Sequence, residues 1–93
     1  MGKLNPLLHQ ELRLAIVSFL AIVESADFKK LADVTGASKG NLSVQITRLQ
    51  KAKIIEVTKS FKGNYPHTEC ALTTLGKAEY MAYIKELKQM LKL

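Results

Sequence analysis

Cysteine is nearly missing from this chain: Cys70 stands alone among 93 residues. That excludes an intrachain disulfide and a cysteine-rich metal site. Long apolar runs are missing too. The longest near-continuous one, Leu14 to Val23, is ten residues broken by Ser18, about half of what a membrane span needs. The N-terminal stretch lacks the order of basic segment, apolar segment and cleavage site that marks a secretory leader. These absences lead to the expectation of a soluble, reduced, cytoplasmic domain. There is no Ser/His/Asp arrangement, no pair of catalytic carboxylates and no glycine loop that would cradle a phosphate, so no enzymatic activity and no cofactor are expected. His9 and His67 lie far from each other and from the single cysteine; no metal site is expected, and His9 reads as a helix-surface residue.

The scarcest thing in the middle of the chain is negative charge. Residues 37–67 carry Lys39, Arg48, Lys51, Lys53, Lys59 and Lys62 against Glu56 alone. Residues 1–36 balance Lys3, Arg13, Lys29 and Lys30 with Glu11, Glu24, Asp27 and Asp33. The remainder is nearly neutral, so five of the six net positive charges sit in one third of the chain. A basic segment between neutral ones points to a surface that meets a polyanion.

Apolar residues make up 47% of the chain, sufficient for one small domain over residues 1–93. Asn5-Pro6 has the chemistry of a helix start, and a first helix is expected from about Pro6 to Ser25. It carries two apolar stripes: Leu12, Ile16, Phe19, Leu20 and Val23 on one side, Leu7, Leu14, Val17 and Ala21 almost opposite. A helix apolar on both sides is buried on both sides, which in so small a domain implies a second chain. Asp27 can cap a short helix over Phe28 to Thr35, with Phe28, Leu31 and Ala32 inward. Gly36 suits its left-handed end, and Ser38 caps a longer helix over about 39–53. Short helix, tight glycine turn and longer helix make a helix-turn-helix.

In that longer helix Leu42, Ile46 and Leu49 form one stripe. The opposite side presents Gly40, Asn41, Val44, Thr47, Arg48 and Lys51, flanked by Ser38, Lys39 and Ser43. It holds donors, acceptors, a methyl-bearing side chain and cations, with no acid: the mixture that reads base edges in a major groove. From Ile54 the period changes to two, with Ile55, Val57 and Phe61 alternating with Glu56, Thr58 and Ser60, which predicts a strand. Lys62 to His67 are turn formers. A second strand, about Thr68 to Leu72, places Cys70 and Leu72 inward, Cys70 as a small buried core residue. Lys59, Lys62, Asn64, Tyr65 and His67 are placed in a wing, about 59–68, to touch phosphates or a minor groove. Thr73 caps a last helix, about 74–91, in which Gly76 is a minor weakness. Its apolar stripe of Tyr80, Tyr83, Ile84, Leu87, Met90 and Leu91 outruns the chain available to cover it.

The layout is mainly α with a small β-hairpin, a winged helix-turn-helix. The segments LHQELRLAIVSFL, GASKGNLSVQITRLQKAKIIEV and FKGNYPHTECALTTLGKAEY together resemble winged-helix DNA-binding transcriptional regulators related to the MarR and ArsR groups, above all the small stand-alone winged-helix domains. Gly40 to Ser43, together with the spacing of Pro66, Thr68, Thr73 and Gly76, are the more specific elements. Lys53 departs from the pattern, since such families often place glycine there. The resemblance implies a homodimer on a pseudo-palindromic operator in double-stranded DNA; from the short apolar runs, no membrane partner is expected. Leu7, Leu14, Val17 and Ala21 with Tyr80, Ile84, Leu87 and Leu91 are the expected dimer interface. Metal-sensing relatives use Cys and His clusters that this chain lacks. The competing reading is a winged-helix protein-assembly module without DNA binding; the polar, acid-free outer face of the third helix weighs against it. RNA would suit the same charges. No residue demands a small-molecule effector.

Overall fold

A computed structural model describes residues 4–92. The elements run α1 (Glu11–Ile22), β1 (Ala26–Asp27), α2 (Phe28–Thr35), α3 (Lys39–Lys51), β2 (Ile55–Lys62), β3 (Tyr65–Leu72) and α4 (Thr74–Leu91). This is the winged-helix order expected, with one strand added. None of the helices is long and apolar enough to cross a membrane, among the described residues.

Local chemistry sets most of the boundaries. Asp27 accepts a hydrogen bond from the Lys30 amide at 2.7 Å, and Ser38 one from the Asn41 amide at 3.2 Å. Thr73 accepts one from the Gly76 amide at 2.9 Å. Each satisfies an amide that the first helical turn leaves open. Gly36 closes α2 with φ of 70°, and its amide donates to the Ala32 carbonyl. Only Gly36, Ala37 and Ser38 separate α2 from α3, which makes the turn between them tight.

The first helix is shorter than its pattern suggests. Asn5 does cap, its side-chain oxygen accepting from the Leu7 amide at 2.9 Å, but the turn it starts ends at Leu8. The chain then extends at Gln10 (φ −147°, ψ 133°), whose side chain caps α1 proper. The bend has a packing reason. Leu8 is fully buried, the Asn5 side chain donates to Glu79 at 3.1 Å, and His9 Nδ1 meets the Tyr83 hydroxyl at 2.8 Å. The segment thus lies along α4 and gives the buried Tyr83 hydroxyl a partner. His9 is exposed, but it precedes α1 and does not sit on its surface. At the other end Val23 is already extended, because Ala26 and Asp27 must pair with Cys70 and Glu69.

The sheet has the order β1-β3-β2, antiparallel throughout. Two residues, Gly63 and Asn64, turn the hairpin. Gly63 takes φ of 63°, the left-handed first position of a type II′ turn. The residues from Tyr65 to His67 belong to β3 and not to the turn, with Lys62 opposite Tyr65 and Phe61 opposite Pro66. Pairs alternate between hydrogen-bonded and non-bonded, beginning bonded at the turn. Pro66 therefore falls in a non-bonded pair, its missing donor on the side that β1 does not reach.

The core joins Leu8, Leu12, Ile16, Val17 and Leu20 to Leu31, to Leu42, Ile46 and Leu49, and to Ile54, Ile55, Cys70, Leu72 and Tyr83. The α3 stripe expected from the sequence is the inner face. Phe61 is not inward: it is 74% exposed. Beyond Val57 the hairpin projects past the helices, so period-two alternation continues with no layer to bury its apolar side.

Two backbone positions link α3, β2 and α4. Lys53, after α3, adopts φ of 62°, the conformation in which glycine is favoured. Lys53→Gly removes about 1–2 kcal/mol of left-handed strain, while the added freedom of the unfolded chain takes back about 0.5–1 kcal/mol. Urea titration should show a net gain of about 0.5 kcal/mol; a loss would mean that the Lys53 side chain contributes packing that outweighs the strain. Gly76 is no weakness. A Cβ there would overlap the Ile54 carbonyl oxygen and lie 2.9 Å from its carbon, so α4 can approach only because Gly76 has no side chain. Thr73 completes the junction, its amide donating to the Ile54 carbonyl at 3.0 Å and its hydroxyl directed at the Lys53 carbonyl at 2.6 Å.

Candidate nucleic-acid interface

Three buried leucine and isoleucine side chains decide which way α3 faces. Leu42 and Leu49 are 0% exposed and Ile46 6%, so the opposite side is turned outward. Ser38, Lys39, Gly40, Asn41, Ser43, Val44, Thr47, Arg48 and Lys51 are all exposed. Among the described residues none of these cations is engaged in an ion pair. Arg48 and Lys51 occupy the last turn of α3, where positive charge is favoured by the helix dipole. Gly40 has open space around it: a Cβ there would meet nothing within 4 Å. Among the described residues, no neighbouring helix requires the glycine.

The wing residues Lys59, Lys62, Asn64 and Tyr65 are exposed as well, Tyr65 by 78%. The register separates them. Lys59 is on the side of Ile55, Val57, Phe61 and Pro66; Lys62 is on the other, with Tyr65 and His67. The two lysines thus flank the ribbon. His67 is set apart from the rest: its side chain is only 16% exposed and its Nε2 lies 2.7 Å from Glu69. Glu69 also accepts from the Ser25 hydroxyl at 3.3 Å. These neighbours direct His67 toward the base of the wing.

Sequence reasoning passed over Phe61, exposed at the wing, and Arg13, whose contact with Gln45 joins residues 32 apart. No local pattern signals such a pair. Of the residues expected at an interface between copies, Val17 is 0% exposed in the core of its own chain and has no surface left to offer. Leu7, Leu14, Tyr80, Ile84 and Leu87 are half-buried against the core, and Ala21 and Leu91 are exposed. Two residues outside that set, Ile22 and Met81, are exposed by 79% and 72%.

Cys70 is fully buried. Burial and, secondarily, the negative charge of Glu69 push its thiol up to about 11, so near neutral pH it is protonated and a poor nucleophile. The described residues contain no group of three or more His, Cys, Asp or Glu side chains able to hold a metal ion.

Residues 12–91 match the family model described as winged helix DNA-binding domain. No curated protein matches the sequence. Among solved structures, a transcriptional regulator homologue from Pyrococcus horikoshii OT3 is 26% identical and superimposes with a TM-score of 0.86, over 92% of this chain and 85% of that one. A MarR/EmrR family transcriptional regulator from Acinetobacter sp. ADP1 is 25% identical, TM-score 0.62, over 85% of this chain and 58% of that one. NadR in complex with 4-hydroxyphenylacetate shares the fold at 24% identity, TM-score 0.71, over 94% of this chain and 64% of that one. The four helices of the described residues, their small antiparallel sheet with an extended hairpin, and a family model spanning nearly the whole chain agree: the chain belongs to the winged-helix DNA-binding domain family, in the fold of MarR-type transcriptional regulators.

Proposed function

We propose that the protein is a sequence-specific transcriptional regulator that binds a pseudo-palindromic operator in duplex DNA as a homodimer. The observation that carries this reading is the outer face of α3, which is exposed, cationic and free of acid along its whole length. In this reading Asn41, Val44, Thr47 and Arg48 enter the major groove, and Ser38, Lys39, Gly40, Ser43 and Lys51 approach the flanking backbone. The wing enters the minor groove tip first. Lys59 and Lys62, on opposite faces of the ribbon, then meet the two phosphate strands that wall the groove, with Asn64 and Tyr65 at the tip. His67, already engaged with Glu69, supports the wing from below.

Such contacts are electrostatic and leave a mark on salt dependence. Lys59→Ala with Lys62→Ala should weaken binding to all duplexes alike and reduce the salt slope by about one unit for each lysine removed. Fluorescence anisotropy over a salt series measures both. An unchanged slope in the double variant would remove the wing from the interface.

Uncovered apolar surface supports a second copy against α1 and α4. Met81, Met90 and Leu91 are exposed on α4, which also carries the half-buried Tyr80, Ile84 and Leu87, and Ile22 is exposed at the end of α1. A twofold dimer through α1 and α4 covers this surface and sets two α3 helices on half-sites about 34 Å apart. Met81→Glu tests this without a cavity in the core. It should convert a dimer to a folded monomer in sedimentation velocity, whereas a wild-type chain that sediments as a monomer at high micromolar concentration would exclude the dimer.

A further inference from the structure

Arg13 lies on α1, outside the face proposed to meet DNA, yet its contacts reach that face. Its Nε donates to the Leu7 carbonyl and its Nη1 to Gln45 Oε1, both at 2.6 Å. The Gln45 Nε2 then donates to Asn41 Oδ1 at 3.4 Å, the loosest link. The order of donors and acceptors is forced. Guanidinium can only donate, so the Gln45 atom that faces it must be its oxygen. That leaves the Gln45 amide nitrogen, also donor only, toward Asn41, which must answer with its oxygen. Asn41 is consequently held with its side-chain N–H groups outward on the exposed side of α3.

The backbone at Asn41 is held independently by the Ser38 cap, and the Gln45 contact biases the rotation of its side chain before any ligand arrives. Arg13 is suited to anchor such a chain because its planar guanidinium presents only donors, in a fixed fork. Among the described residues it has no carboxylate partner, and the interactions seen for its guanidinium are those with Leu7 and Gln45.

We propose that Arg13 and Gln45 are positioning residues for base recognition: they orient the Asn41 amide so that it donates to acceptor atoms on a purine edge, N7 or O6, and rejects donor edges. The inference rests on the proposed DNA binding and adds to it a specificity element outside the contact surface. A preset amide loses less freedom on binding and cannot rotate to suit the wrong base.

The test uses the duplex that the wild-type chain selects from a random library, with its single-base-pair variants. Arg13→Met and Gln45→Leu should each leave the salt slope as it is and reduce discrimination at one base pair in each half-site by about tenfold, the low end of what one good base contact supplies. Arg13→Lys, which keeps a donor-only group, should restore most of it. In the free protein, the side-chain amide signals of Asn41 should shift in Arg13→Met, although the hydrogen bonds between the two run only through Gln45. If both variants lower affinity for every duplex in equal proportion, or leave discrimination and the Asn41 signals unchanged, the relay is overturned and Arg13 is a structural tie between α1 and α3. If the wild-type chain binds no duplex, the DNA reading fails and takes the recognition role with it.

Discussion

Gly76→Ala is expected to cost about 3 kcal/mol of stability, and with it about 15 °C of melting temperature for a domain of this size. The usual expectation for such a change is the reverse, because alanine is the better helix former by about 1 kcal/mol. Here the added methyl overlaps the Ile54 carbonyl oxygen, a backbone atom that cannot rotate away. That oxygen is also held by the Thr73 amide at 3.0 Å. Relief requires α4 to move off the α3–β2 junction, which uncovers Ile54 and Tyr83, now 3% and 2% exposed. Gly40→Ala is the control, since nothing lies within 4 Å of that position: it should leave the melting temperature unchanged or raise it slightly. Thermal melts followed by circular dichroism separate the two. A loss below 1 kcal/mol for Gly76→Ala would mean that α4 can draw back from Ile54 at little cost.

Arg48→Ala carries the second large effect, on binding in place of folding. Arg48 is exposed on α3 with its guanidinium free of ion pairs among the described residues, so its removal costs the fold little. If its planar fork reads guanine, affinity for the selected operator falls by about 1–3 kcal/mol, while random duplex is bound almost as before. If it holds phosphate, both fall together. Titration of the two duplexes at one salt concentration distinguishes these. An unchanged affinity for both, in a folded and dimeric variant, would mean that α3 is not the reading element, and would favour the assembly module.

Much of this architecture is legible from local chemistry. The caps at Asp27, Ser38 and Thr73, the left-handed end at Gly36 and the stripe of Leu42, Ile46 and Leu49 depend on residues within a turn or two of each other, and the structure has them as the sequence implies. The direction in which α3 faces follows from that stripe alone. What stays hidden is set by distant partners. Gly76 looks like a flaw until Ile54 is beside it. The two residues of β1 are too few for any periodicity and exist because Cys70 and Glu69 are across from them. Asn5-Pro6 begins a turn and not the helix, because Asn5 and His9 are bonded to α4 and Leu8 is drawn into the core. Phe61 keeps the alternation of its strand where the wing has left the body of the protein, and His67 is claimed by Glu69. The same limit hides Arg13, whose partner Gln45 is on another helix.

Selection of bound sequences from a random duplex library, followed by footprinting on the enriched site, tests the central claim most directly. The predicted result is a pseudo-palindrome whose half-sites are centred about one helical turn apart, protected in the major groove at each half-site. Failure to enrich any sequence, with the folded wild-type chain at micromolar concentration and moderate salt, would contradict it.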